Sequence, residues 1–306
     1  MSSEKSKSVV GIFILIFILS IIFMIFAFYT VASLKSTGDA SNSMIFDKNN
    51  APIAVVPIEG VIMESQKVID GLHRAEKDKT VKAIIIRVDS PGGAVAPTQE
   101  IYEEIIRIDK VKPIYASFGS VAASGGYYVA AAARKIYSNA GTLTGSIGVI
   151  MQFMDMSKLY EFAKVNPQTI KAGRYKDIGS PFREMKNEER QLMDTMMAGV
   201  HQQFINDILK RREKKIKGKM IEHAQGQIFS GEEAMKIGLV DEIAGLWEAG
   251  RRIHQELGFD EEFGLRFIKK KKKLSVMDFL EEVDESLSYI TGMIKGSFKP
   301  VLMYQY

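Results

Sequence analysis

The apolar positions of this chain change period repeatedly along its length. IAVVPIEG (53–60) and VKAIIIRVDS (81–90) are mainly apolar runs of strand length that end in turn residues. That is the pattern of strands buried on both faces. Between them, SQKVIDGLHRAEKD (65–78) repeats at helical spacing, and PTQEIYEEIIRIDK (97–110) does so again before the strand PIYASFG (113–119). The small-residue stretch VAASGGYYVAAAA (121–133) reads as a helix lying close on a sheet, followed by a short strand at RKIYSN (134–139). This alternation with short connections predicts an α/β core with several parallel strands.

The second half is more helical. SIGVIMQFMD (146–155) reads as a strand or strand pair and QTIKAG (168–173) as another. Residues 186–215 form a long amphipathic helix, with Leu192, Met196, Val200, Phe204 and Ile208 at a four-residue step. FSGEEAMKIGLVDEIAG (229–245) opens with a capping box, Ser230 and Glu233, and continues as a short helix, a strand and a turn. A distinct tail follows: the run Lys269–Lys273, an amphipathic helix carrying Val276, Phe279, Leu280, Val283, Leu287 and Ile290, and the apolar end VLMYQY.

The N-terminus adds a different signal. No charged residue lies between Lys7 and Lys35, and roughly 20 apolar residues suffice to cross a bilayer as a helix. Ala32 offers a processing site for a cleavable leader, but leaders carry only about 7–15 apolar residues and this run is far longer. A retained anchor over 9–34 is therefore expected, after residues 1–8 and before a polar linker over 35–51. Lys5 and Lys7 precede the span, whereas Lys35 and Lys48 after it are mixed with Asp39 and Asp47. The positive-inside tendency places the N-terminus in the cytoplasm and the main domain outside it.

Composition narrows the chemistry. A net charge of +4 over 306 residues argues against a general nucleic-acid surface. The absence of cysteine excludes disulfides, thiolate metal sites and a cysteine nucleophile. No P-loop, dinucleotide fingerprint or H-E-x-x-H motif is present, so no cofactor or metal is expected. His73, His201, His223 and His254 all sit among polar residues on expected helices and read as surface residues.

Three elements carry candidate chemistry. Ser124 stands alone among alanines and before two glycines, as a nucleophile with trimmed neighbours or simply as part of a packed helix. Lys176, in KAGRYKDIGSPFREM (171–185), is a candidate base, because an amine withheld from water holds its proton loosely and can take one from a serine. DSPGG (89–93) closes a buried strand at its carboxyl end, where α/β sheets tend to place ligands. The amide of Gly93, paired with that of Gly125, would form an oxyanion hole; alone, the motif is equally a tight turn.

The blocks IIIRVDSPGG, YASFGSVAASGGYY, GTLTGSIGV, GRYKDIGSPFREM and FSGEEAMKIGLVDE occur in an order that resembles the signal peptide peptidase A (SppA) family, across about residues 53–255. The resemblance is to the short form, with one catalytic unit. It implies an α/β Clp protease/crotonase-like core of stacked ββα units over 52–258, preceded by one transmembrane helix and followed by a basic and amphipathic tail over 259–306. It also implies a serine endopeptidase with Ser124 as nucleophile, Lys176 as general base, Ser146 orienting the lysine, and Gly93 rather than Gly92 in the oxyanion hole with Gly125. Ser146 is the rival nucleophile, but it fits the blocks better as the lysine's partner. The family further implies hydrophobic peptide substrates such as signal-peptide remnants, prokaryotic membrane attachment, and a ring-like homo-oligomer in which adjacent chains share the serine and lysine.

Two other readings compete. A crotonase-like acyl-coenzyme A enzyme uses the same paired amides without a serine nucleophile. A membrane scaffold would use the lysine run and amphipathic tail against lipid. The end VLMYQY also has the character of a substrate for the chain's own active site.

Overall fold

The computed structural model describes residues 51–268 and 303–304, all within the compact unit Lys48–Tyr306. The expected N-terminal anchor and linker, the lysine run and the amphipathic helix of the tail lie outside the described residues. In chain order the elements are β1 (Ile53–Glu59), α1 (Gln66–Lys77), β2 (Ala83–Ser90), β3 (Gly93–Ala94), α2 (Val95–Asp109), β4 (Ile114–Ala123), α3 (Gly125–Ala131), β5 (Ile136–Ser138) and β6 (Leu143–Gly145). There follow α4 (Ser157–Phe162), α5 (Asn187–Arg212), α6 (Met220–His223), β7 (Ile228–Ser230), α7 (Gly231–Ile237), β8 (Glu242–Ile243), α8 (Leu246–Glu256), β9 (Leu265–Phe267) and β10 (Met303–Tyr304).

The main sheet runs β7-β6-β4-β2-β1-β9, with β5 on β4 and β8 on β5, and every pair but β6–β7 is parallel. Its central strands are mainly apolar runs because both faces are covered. Val56, Ile84 and Ile86 pack with residues of α1, α2 and α3 in one cluster, and Ile53, Val55, Ile85 and Tyr115 pack with Ala249 and Ile253 of α8 in another. β4 organises the functional end. Ala116 and Ser117 pair with β5, while Val121–Ala123 pair with β6, so two strands share one edge of β4 in succession.

Several expected boundaries move. Val121–Ala123 belongs to β4, and the helix begins only at Gly125, because these three residues find sheet partners in Leu143–Gly145. In 146–155 there is no strand; the strand precedes it, at β6. Residues 168–173 are irregular and exposed rather than a strand. α5 forms where expected, but only the carboxyl half of its apolar stripe is covered: Phe204 and Ile208 are buried, whereas Leu192 and Met196 face outward. The capping box at Ser230 forms, with Ser230 Oγ accepting from Glu233 N.

Candidate active site

DSPGG sets the geometry from which everything else follows. Asp89 Oδ1 accepts from the amides of Ser120 (3.1 Å) and Val121 (3.0 Å). The β2–β4 register slips there, from Val88 opposite Phe118 to Ser90 opposite Ala122. Gly119 permits this contact, since a Cβ there would sit 2.6 Å from the Asp89 Cγ. The bulge re-aims the last residues of β4.

The turn beyond β2 is clamped on one side. Ser90 is fully buried, and its Oγ accepts from Gly92 N (3.1 Å), so that amide is already engaged. Ile62 donates to Gly92 O (2.8 Å) and accepts from Ala94 N (2.7 Å). A Cβ on Gly93 would lie 2.1 Å from Ile62 O, so only glycine fits. In extended backbone, successive amides point to opposite edges. That directs the Gly93 amide away from Ile62, to the edge where β3 pairs antiparallel with β10, Tyr304 opposite Gly93 and Met303 opposite Ala94. Of the two glycines, Gly93 is thus the one with an amide on the peptide-bearing edge.

Ser124 sits at the junction of β4 and α3 with φ 52° and ψ −117°. Such backbone costs on the order of 1–3 kcal/mol for a side-chain-bearing residue and persists only where its surroundings fix it. Here Ser124 N donates to Gly145 O (2.8 Å) and Ser124 O accepts from Tyr128 N (2.9 Å). α3 is in turn pinned by the Tyr127 hydroxyl on Leu239 O (2.9 Å) and the Tyr128 hydroxyl on the Asp207 carboxylate. Ser124 Oγ is buried and has no hydrogen-bond partner among the described residues. The amide of Gly125, first in α3, has no helical acceptor. Gly126 serves packing rather than acyl room: a Cβ there would approach Ser90 O to 2.6 Å. Ala122, Ala123 and Ala130–Ala133 are buried within the chain itself, so they are not surfaces for a neighbouring subunit.

Ser146 is the counterpart of Ser124 on the next strand. Ala123 is registered with Gly145, so the two serines are the next residues on adjacent parallel strands. Ser146 is also buried and left-handed, with φ 47°, and its amide donates to Gln227 O (2.6 Å).

Lys176 is in a different setting. It lies on an arm, residues 150–186, that contains α4 and is largely exposed. Lys171 pairs with Asp177, Arg174 with Glu188, and Arg183 with Asp177 and Glu189. These bonds hold the Asp177 carboxyl well below its usual range, chiefly through Arg183 and then Lys171. Glu189, held by Arg183 and by the Lys186 amide, is lowered to about 2. Lys176 has no partner for its amine among the described residues and is exposed, so its own chain does not withhold the amine from water. It makes no hydrogen bond to Ser124. Asp177, its neighbour in sequence, is committed to Lys171 and Arg183.

None of the four histidines hydrogen-bonds Ser124, and they are half-buried rather than fully exposed. His73 meets Glu104, while His223 and His254 meet backbone carbonyls. Reading the sequence missed Ile62, Ser90 and the anchoring role of Asp89. Only Asp89 had a signal, as an acid ending an otherwise apolar strand.

A layered α/β core with a strained, buried serine at a strand–helix junction defines the Clp protease-like class, and the Clp protease family model matches residues 55–146. The model of peptidase family S49 matches residues 106–260, and the chain belongs to this family. A protein of Synechocystis provisionally named a protease is 36% identical over 192 residues, 62% of this chain and 69% of its own. An Enterococcus faecium protein provisionally named signal peptide peptidase SppA is 31% identical over 260 residues, 80% of this chain and 71% of its own. The chloroplastic serine protease SPPA of Arabidopsis thaliana is 33% identical over 239 residues, 78% of this chain but 35% of its own length. The chain is accordingly a serine peptidase.

Proposed function

We propose that the protein is a membrane-anchored endopeptidase that cuts extended apolar peptides, such as signal-peptide remnants, through an acyl-enzyme on Ser124. The observation that carries the reading is the Ser124 hydroxyl, buried, without a partner and held in left-handed backbone beside Ser146. A hydroxyl that served only packing would hydrogen-bond its own helix or sheet.

In this reading a substrate strand adds to the edge of β3, as Met303–Tyr304 does, and its scissile carbonyl lies toward the amides of Gly93 and Gly125. The neutral amine of Lys176 takes the proton of Ser124 Oγ as Oγ bonds to the carbonyl carbon. Each amide donor to the resulting oxyanion is worth about 3–4 kcal/mol in such sites. The lysine ammonium returns the proton to the leaving nitrogen as the C–N bond breaks. Water, deprotonated by the same amine, then attacks the ester, and the Ser124 oxygen leaves with the proton. Ser146 orients the amine.

Lys176 is supplied by an adjacent copy in a ring-like homo-oligomer. Support comes from its exposure and lack of a partner, and from the outward Phe162, Ile170, Leu192 and Met196 of the arm and α5. A neighbouring chain that covers this surface also withdraws the amine from bulk water. The uncharged run 9–34 anchors the enzyme with its N-terminus cytoplasmic and residues 52–258 outside the cytoplasm. No helix of the described residues is long and apolar enough to cross a membrane. An acyl-coenzyme A enzyme has no use for the partnerless serine, and a scaffold has none for the strained backbone that presents it. Labelling with a fluorophosphonate tests the reading. Modification at Ser124, lost in Lys176→Ala with the far-ultraviolet dichroism unchanged, is expected; modification at Ser146 alone overturns it.

A further inference from the structure

The edge of β1 is paired over only part of its length. β9 covers Ile53–Val55, and Ile268 N donates to Val55 O (2.9 Å). Beyond that point a groove of about 390 Å³ opens, lined by Val56, Ile58, Val61, Met63, Arg74 and Ile268 among others. Val61 and Met63 are 45% and 51% exposed, which is high for apolar side chains in a concave site. Arg74 has no hydrogen bond or ion pair among the described residues, and its Nε is buried. An apolar groove with an unpaired guanidinium fits an occupant that is both apolar and acidic.

This chain contains such an occupant, and both ends of it meet the groove. The described chain stops at Ile268, in the groove wall, and reappears at Met303, opposite Ala94. Ala94 N is bonded to Ile62, itself part of the lining. Between them Leu274–Ile290 carries Asp278, Glu281, Glu282, Asp284 and Glu285, no lysine or arginine, and an apolar face at helical spacing. As a helix it would be roughly 25 Å long. The extended path from Val55 to Ile62 is of similar length, on the order of 20 Å.

We propose that Leu274–Ile290 docks in this groove within its own chain, apolar face on Val61 and Met63 and acids toward Arg74, since Lys67 is already paired with Glu64 at 3.8 Å. Docking then holds Met303–Tyr304 on β3 as a tethered competitor. That consequence, though not the docking itself, rests on β3 being the substrate edge.

Because the chain has no cysteine, paired cysteines can test this in the full-length protein. Met63→Cys with Leu280→Cys, treated with a short bismaleimide, is expected to give a product of single-chain mass in high yield. Val111→Cys with Leu280→Cys is the control, at the opposite end of the sheet and 69% exposed, and at least fivefold less product is expected. Arg74→Glu should lower the first yield several-fold. So should the tail variant Glu281→Lys/Glu282→Lys, which leaves the folded core untouched. Equal yields at the two positions overturn the proposal, as does no product although both cysteines react with a monofunctional maleimide. A product joining two chains also overturns it, and assigns the groove to a second copy. None of these readouts depends on peptidase activity, so failure of the proposed mechanism would leave the result interpretable.

Discussion

Ser124 and the arm that carries Lys176 are built on opposite principles. The serine is the end point of a largely buried strand, fixed by register, by an acid-anchored bulge and by a helix whose tyrosines are tied down elsewhere in the core. The arm has no buried residue between Met151 and Arg183. It holds its shape by surface ion pairs and a few contacts such as Tyr160 on Phe182, with ring centroids 5.2 Å apart. A single chain therefore fixes Ser124 completely but leaves Lys176 exposed. On the proposed mechanism the site is finished by assembly between chains, and that proposal is what the largest predicted effects address.

The largest effect is expected from separating the two halves. Ser124→Ala and Lys176→Ala should each lower kcat/KM by roughly 10³-fold or more, as with residues that act as a unit. Chains of the two variants, mixed before assembly, should regain about one quarter of wild-type activity if neighbours share the site, since random pairing joins an intact serine to an intact lysine that often. A mixture as inactive as its components would place both groups on one chain. Next in size is the arm itself. Phe162→Asp with Ile170→Asp should dissociate the assembly in analytical ultracentrifugation and reduce turnover at least tenfold while the melting temperature of the single chain stays put. Full turnover from dissociated chains would break the comparison between the two regions.

A smaller effect is expected on the rigid side. Asp89→Ala removes the acceptor for two backbone amides and should destabilise the chain by about 1–2 kcal/mol in urea unfolding, given the exposure of the pair. It should also lower kcat more than it raises KM, because the bulge aims Ser124. A drop in stability with unaltered kcat would show that β4 holds its course without the acid.

The rigid side was the more legible in sequence, and for a physical reason. Mainly apolar runs such as AIIIRV identify a doubly covered parallel strand whatever the rest of the chain does. The glycines at 93 and 126 mark positions where backbone, of Ile62 and Ser90, approaches too closely for a side chain. Three expectations failed where long-range pairing decided. Val121–Ala123 looks helical by composition but is captured by β6. The apolar residues of 146–155 and 168–173 look like strands, yet neither segment forms one. The stripe of α5 has the period of a buried face, and nothing in its spacing separates the buried Phe204 and Ile208 from the outward Leu192 and Met196. Ile62 was illegible for a similar reason, since its role is set by a bridge to Gly93 across thirty-one positions of sequence.

The smallest predicted effect concerns the clip at the base of the arm. Asp177 and Glu189 both grip Arg183, and the grip holds both carboxyls below their ordinary range, Glu189 to about 2. A carboxyl depressed in the folded state contributes stability that is complete above its unfolded value, 4.5 for Glu189, and that is lost as pH falls through the folded one. The arm should therefore loosen between about pH 4.5 and pH 2 while β4 does not. Hydrogen-exchange protection of residues 171–186, corrected for intrinsic rates, should fall several-fold from pH 5 to pH 2.5, with little change in residues 114–123. Arg183→Gln should abolish most of that dependence by removing the group both carboxylates share. Equal pH dependence in the arm and in β4 would mean that the arm is held by its apolar contacts rather than by the clip, and the contrast between the two halves of the site would then be one of exposure alone.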